Sequence, residues 1–206
     1  SSQSRGLGDV YKRQNVYLLL GSIPITENDK LYNRSILINP DGDIISIYDK
    51  IHMFDITLKN GESYKESDFY SPGSELKITK VLGHSVGHTI CYDLRYPKLY
   101  RALAKKGSQI IVVPSAFTHT TGKAHWHSLI KARAIENGVF ILAPNQWGVN
   151  NEKRVTYGHT LIVDPWGETL AEAEDGEMII AAELDLNRVR ECQNAIPVLD
   201  YDRNFD

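Results

Sequence analysis

Cysteine is nearly absent: Cys91 and Cys192 are the only two thiols in 206 residues. Two cysteines allow one bridge at most, so a disulfide framework is excluded and a reducing cytoplasm is the simplest setting. Long apolar runs are lacking as well. The longest early one, Val16 to Leu20, is far short of the roughly 20 residues a membrane-spanning helix needs, and it lacks the flanks of a secretory signal. There is no surplus of one charge. The formal net charge is −3, and basic residues are scattered, with short pairs such as Lys105-Lys106 and Lys153-Arg154. Neither nucleic acid nor an anionic membrane is expected as a partner. Metal-ligand spacing is also missing. His125 and His127 sit two apart on an expected helix and point in different directions, and His84 and His88 lack an obvious third ligand, so no metal site is expected. No internal repeat, low-complexity segment or linker divides the chain.

What remains is an ordinary globular composition, 42% hydrophobic and 24% charged, in a chain long enough for one well-buried core. The first residues stand apart. Ser1 to Gln14 has no helical or strand periodicity and no starting Met. It reads as a disordered tail or, our preferred expectation, as non-native sequence resembling translated adapter ends on assembled environmental genes. A domain over 15–206, lacking its own N-terminal segment, is therefore expected.

Tyr17 to Ile23 reads as a buried strand, and Ser35–Asn39, the Asp41-Gly42 turn and Ile44–Tyr48 as a hairpin. Phe54 to Gly73 is polar and reads as a loop. Strands are expected near Leu76–Lys80, Ser85–Ile90, Ile110–Val113, Val139–Ala143, Thr160–Val163, Thr169–Ala173 and Met178–Leu184. Tyr96, Leu99, Tyr100, Leu103 and Ala104 form the stripe of an amphipathic helix, with Gly107 just past its end. A second helix is expected over Ala124–Asn137, closed by Gly138, and a short one near Leu186–Cys192. Strands and helices interleave in the middle and strands dominate the ends, which suits a layered α/β sandwich.

Cys91 lies where a strand gives way to a helix. Backbone amides at such a junction can lower a thiol pKa and donate to an oxyanion. The same context equally suits a small buried residue at a strand end. Lys50 follows the hairpin strand, where a lysine is ordinarily a solvated charge; in a closed pocket it becomes a positive clamp.

Four segments carry a resemblance. Tyr48 to Asp55 (YDKIHMFD), Ile90 to Pro97 (ICYDLRYP), Ala124 to Asn137 (AHWHSLIKARAIEN) and Tyr157 to Gly167 (YGHTLIVDPWG) resemble, in order, the signature blocks of the carbon–nitrogen hydrolase, or nitrilase, superfamily. The resemblance implies a four-layer αββα sandwich, N-terminally incomplete here, usually assembled as a homodimer or larger. It makes Cys91 the nucleophile and Lys50 the oxyanion clamp, with the Tyr92 backbone N–H beside it. Glu66, in Tyr64-Lys65-Glu66-Ser67 before Pro72-Gly73, matches the family's supporting glutamate, although a solvated loop carboxylate would look alike. Nothing in Ser1 to Gln14 matches the general-base glutamate, and neither Glu27 nor Glu62 stands in the right context. The implied reaction is hydrolysis of a small carboxylated amide through a cysteine thioester, with ammonia released and no metal or organic cofactor.

Pro114 to Phe117, Thr121 to Trp126 and Arg154 to Gly167 look most like amidases acting on ω-amides, the deaminated-glutathione amidase type. Phe117 and Trp126 could line a substrate pocket or simply pack. Without its base the chain is expected to be inactive alone. Two alternatives stay open: a Cys-His hydrolase using His52 or His88, and a non-catalytic binding or assembly protein on the same scaffold.

Overall fold

A computed structural model describes residues 14–59, 61–151, 154–201 and 203. The expectation for Ser1 to Gln14 falls, apart from Gln14, outside the described residues.

The chain opens with three antiparallel strands: β1 (Leu18–Glu27), β2 (Lys30–Ile38) and β3 (Ile44–Asp49), in the order β1-β2-β3. The expected turn closes the second hairpin, with the Gly42 N–H donating to the Asn39 carbonyl at 3.0 Å. One face of this sheet presents Ser35, Leu37, Ser46 and Tyr48, all buried. Residues alternate across a strand, so Ile45 and Ile47 point to the other face, where each is more than a third exposed.

The segment expected as a loop contains more order than its polarity suggests. It holds a small hairpin, β4 (Asp55–Thr57) with β5 (Ser63–Lys65), and then a 3₁₀ turn at Glu66–Asp68. Three-residue strands carry too little periodicity to stand out in sequence.

The larger sheet has the order β13-β12-β9-β8-β7-β6. Its centre is parallel, formed by β7 (His84–His88), β8 (Ile110–Val112) and β9 (Phe140–Ala143). Antiparallel β6 (Ile78–Val81), β12 (Leu161–Val163) and β13 (Thr169–Glu172) flank it. Helices α1 (Pro97–Lys105) and α2 (His119–Asn137) cover one face. Leu103, Ile130, Trp126, Ile111 and Ile141 meet there with no exposed surface. Each aliphatic side chain so buried contributes roughly 1.5–3 kcal/mol. On the opposite face His88 lies 6.5 Å from the Tyr48 ring, which brings the three-stranded sheet against β7. The layers described are thus helix, sheet and sheet, a layered α/β arrangement.

Three expectations need correction. Helix α2 begins at His119, not Ala124. Gly122 lies inside it, and a Cβ there would come within 2.3 Å of the Tyr157 side chain, so close packing explains the glycine. Met178 to Leu184 is irregular, not a strand, and Ile179 is 96% exposed. Apolar alternation cannot hold a strand that lacks a neighbour to complete its ladder. Finally, an unanticipated hairpin joins β10 (Trp147–Asn151) to β11 (Arg154–Tyr157). A short helix α3 (Asn187–Ala195) follows the sheet.

Candidate active site

Strand β7 ends at His88, and the chain turns sharply into a 3₁₀ helix, Cys91–Arg95. Cys91 takes a left-handed conformation, φ +49°, which a side chain seldom adopts without a compensating constraint. Two bonds supply that constraint. The Cys91 N–H donates to the Pro114 carbonyl at 3.0 Å, and the Ile90 N–H donates to Asp93 Oδ2 at 2.9 Å. Because its own N–H is occupied, Cys91 offers no amide to a ligand. Among the described residues the neighbouring Tyr92 N–H has no backbone acceptor.

Asp93 organises this turn from a fully buried position. Besides Ile90 it accepts the Tyr48 hydroxyl at 2.7 Å, the His52 N–H at 3.0 Å and His52 Nδ1 at 2.7 Å. Burial, reinforced by the Asp93 charge, pushes the Tyr48 phenol far above its ordinary pKa, so it stays a proton donor. Sequence reading passed over Asp93, because its partners lie up to 45 residues away.

Lys50 sits one residue beyond β3 and is 2% exposed. Its carbonyl accepts the Gly73 N–H at 2.8 Å. A Cβ on Gly73 would fall 2.3 Å from the Asp49 carbonyl oxygen, so only glycine allows this approach. The Lys50 ammonium pairs with Glu66 Oε2, which also accepts the Phe54 N–H at 2.6 Å. Glu66 Oε1 accepts Asn33 Nδ2 at 3.2 Å. Glu66 is thus a bound acceptor, not a solvated loop carboxylate.

Cys91, Lys50, Glu66, Tyr92 and Phe117 line one cavity of about 480 Å³, together with Asn33, Phe54, Tyr64 and Arg154. That volume suits a small organic ligand. Trp126 corrects an expectation: it does not line the cavity. It is fully buried behind Phe117, ring centroids 4.8 Å apart, and donates its indole N–H to the His159 carbonyl at 2.8 Å. His52 and His88 do not line the cavity either. His52 stacks on Tyr96 at 3.5 Å and is held by Asp93, and His88 Nε2 faces Thr79 Oγ1 at 3.2 Å.

Among the described residues one grouping could hold a metal ion. His127, His159 and Glu172 place ligand atoms within 4.8 Å of one another, at present joined by hydrogen bonds to Glu172 Oε1 of 2.7 and 3.1 Å. The three come from α2, the segment after β11, and β13, so no sequence spacing could reveal them. They lie apart from the residues lining the Cys91 cavity.

Residues 2–194 match the model of the carbon–nitrogen hydrolase family, and the chain belongs to that family of hydrolases acting on carbon–nitrogen bonds other than peptide bonds. It is 39% identical over 199 residues to a deaminated glutathione amidase of Yersinia enterocolitica, covering 95% of this chain and 70% of that protein. It is 38% identical over 192 residues to the omega-amidase NIT2 of Xenopus tropicalis, covering 93% and 70% respectively. The crystal structure of the C. elegans NitFhit protein superimposes with a TM-score of 0.85 at 33% identity. That match covers 95% of this chain and 48% of the other, so the chain spans about half of NitFhit. Among the described residues no helix is long and apolar enough to cross a membrane.

Proposed function

We propose that this cavity hydrolyses a small carboxylated amide through a thioester on Cys91. The observation that carries the reading is convergence: Cys91, Lys50 and Glu66 come from three separate segments and line one cavity. The names of the two amidase relatives support the amide class and the carboxylated substrate.

In this reading the Cys91 thiolate attacks the amide carbonyl, forming a C–S bond and a tetrahedral oxyanion. The oxyanion meets the Lys50 ammonium and the Tyr92 N–H. Collapse breaks the C–N bond, the leaving nitrogen takes a proton and departs as ammonia, and water then cleaves the thioester. Glu66 holds the Lys50 ammonium in place. A proton acceptor for the thiol is the part not supplied by the described residues. Glu66 is the one carboxylate among the described residues lining the cavity, and its oxygens are already taken by Lys50, Phe54 and Asn33. We expect the 206-residue chain alone to turn over amides slowly or not at all.

An activated ester separates these steps, because its leaving group needs no proton. With p-nitrophenyl acetate we expect one acetyl group to accumulate on Cys91, seen by peptide mass spectrometry, and Lys50→Met to abolish it. Equal labelling of buried Cys192, or indifference to Lys50→Met, would sink the reading. Full amide turnover would refute the missing-base part alone. The Cys-His alternative draws no support from the cavity, which neither His52 nor His88 lines.

A further inference from the structure

Among the described residues, one cation in the Cys91 cavity has no acid to balance it. Lys50 is paired with Glu66, and Lys65 with Asp68 at 3.0 Å. Arg154 also lines the cavity, and no described carboxylate pairs with it. Its Nη2 donates to the Ala116 carbonyl at 3.2 Å, while its Nε is buried without a hydrogen-bond partner among the described residues. A guanidinium in a cavity wall with no described carboxylate beside it is matched most simply by an anion that a ligand brings.

The side chain is held rather than dangling. Arg154 begins β11, and that strand is stitched to the segment forming the opposite lip of the hairpin. Thr156 bridges to Thr118, and the Tyr157 N–H donates to the Phe117 carbonyl at 2.9 Å. Ala116, Phe117 and Thr118 line the same cavity, so Arg154 is placed relative to its wall by backbone hydrogen bonds. Tyr64, another lining residue, feels the Arg154 charge: burial and then the Glu62 carboxylate raise its phenol pKa, and Arg154 opposes the rise. The phenol stays protonated at neutral pH and offers a neutral donor near the guanidinium.

We propose that Arg154, with Tyr64 beside it, is the anion-binding end of the cavity and receives the carboxylate of the substrate while Cys91 and Lys50 hold its amide. Guanidinium N–H groups match a carboxylate through two parallel donors, and such charge-assisted bonds are roughly twice as strong as neutral ones. Specificity then follows from charge and the fork: a neutral diamide of the same length brings one carbonyl acceptor to that end but neither a second acceptor nor a negative charge. The inference rests on the amidase reading, and it adds which residue selects an ω-amide bearing a carboxylate over a simple amide.

Equilibrium binding tests it without requiring turnover. Calorimetry on the 206-residue chain compares glutaramate with the neutral diamide glutaramide. The expected preference for glutaramate is at least about tenfold in the native chain. Arg154→Gln brings the ratio close to one, and Arg154→Lys, which keeps the charge but loses the fork, falls between. Far-UV circular dichroism and urea midpoints establish that the variants fold, and Arg154→Lys decides the question if Arg154→Gln does not fold. Should Arg154→Gln fold and keep the preference, Arg154 is not the anchor and the amidase reading stands. The same holds if the native chain acetylates Cys91 yet binds both ligands alike. Absence of both Cys91 acetylation and ligand binding would instead remove the amidase reading itself.

Discussion

The ammonium of Lys50 and the carboxylate of Glu66 form an ion pair in the wall of the Cys91 cavity, their side chains 2% and 13% exposed. At that depth the two charges depend on each other. Glu66→Ala leaves a buried ammonium uncompensated and should cost about 3–5 kcal/mol in urea unfolding. Replacing both, as Lys50→Met with Glu66→Leu, should cost clearly less. A Glu66→Ala chain as stable as the native one would show that water reaches the pair.

Asp93 should prove the structural pivot beneath Cys91. Asp93→Ala strips acceptors from the Tyr48 hydroxyl and the Ile90 and His52 N–H groups. With unsatisfied buried donors costing about 1–3 kcal/mol each, a loss of at least about 3 kcal/mol is expected. Tyr48→Phe removes one bond and should cost about 1 kcal/mol. The rate of Cys91 alkylation by iodoacetamide should change in Asp93→Ala, because the Ile90–Asp93 bond holds the turn. An unchanged rate would detach Asp93 from the geometry of the nucleophile.

Cys91 itself stands in a left-handed conformation that a glycine adopts freely. Cys91→Gly should therefore raise stability by roughly 1 kcal/mol while removing acetylation altogether. Cys91→Ala, which keeps a Cβ, should not stabilise. Equal stability of the two variants would mean that the turn carries no strain.

His88 gives the fold a slope in acid. Burial, with Lys77 adding a smaller repulsion, lowers its pKa from 6.5 to about 4. A folded-state value below the unfolded one means the unfolded chain takes up a proton that the fold refuses. Stability from this source is complete above about pH 6.5 and is lost as pH falls toward 4, by about 3 kcal/mol in total. Urea midpoints of the native chain should fall across that window, and those of His88→Gln should fall less. Parallel curves would place the acid sensitivity elsewhere.

Much of this was legible in sequence because the signal was local. The Asp41-Gly42 turn, the stripe of α1, the αL cap of α2 at Gly138 and the strands at Ile110 and Phe140 all follow from periodicity and turn chemistry. Cys91, Lys50, Glu66, Tyr92 and Phe117 could be nominated from short motifs, and all five line the cavity. Trp126 stayed open in sequence, because an aromatic near a pocket residue looks the same whether it faces the ligand or packs behind it.

The sequence by itself determined the central strands and helices of the larger sheet, the family, and the residue types that chemistry would need. Tertiary structure alone decided what those residues face. Asp93 gathers Tyr48, His52 and Ile90 only once β3 lies against the turn after β7. Arg154 meets the Cys91 cavity only because an unforeseen hairpin is bridged to Thr118. The physical reason is range: periodicity and turn preferences act over a few residues, whereas the burial and unmet hydrogen bonds that define the site arise between segments far apart in the chain.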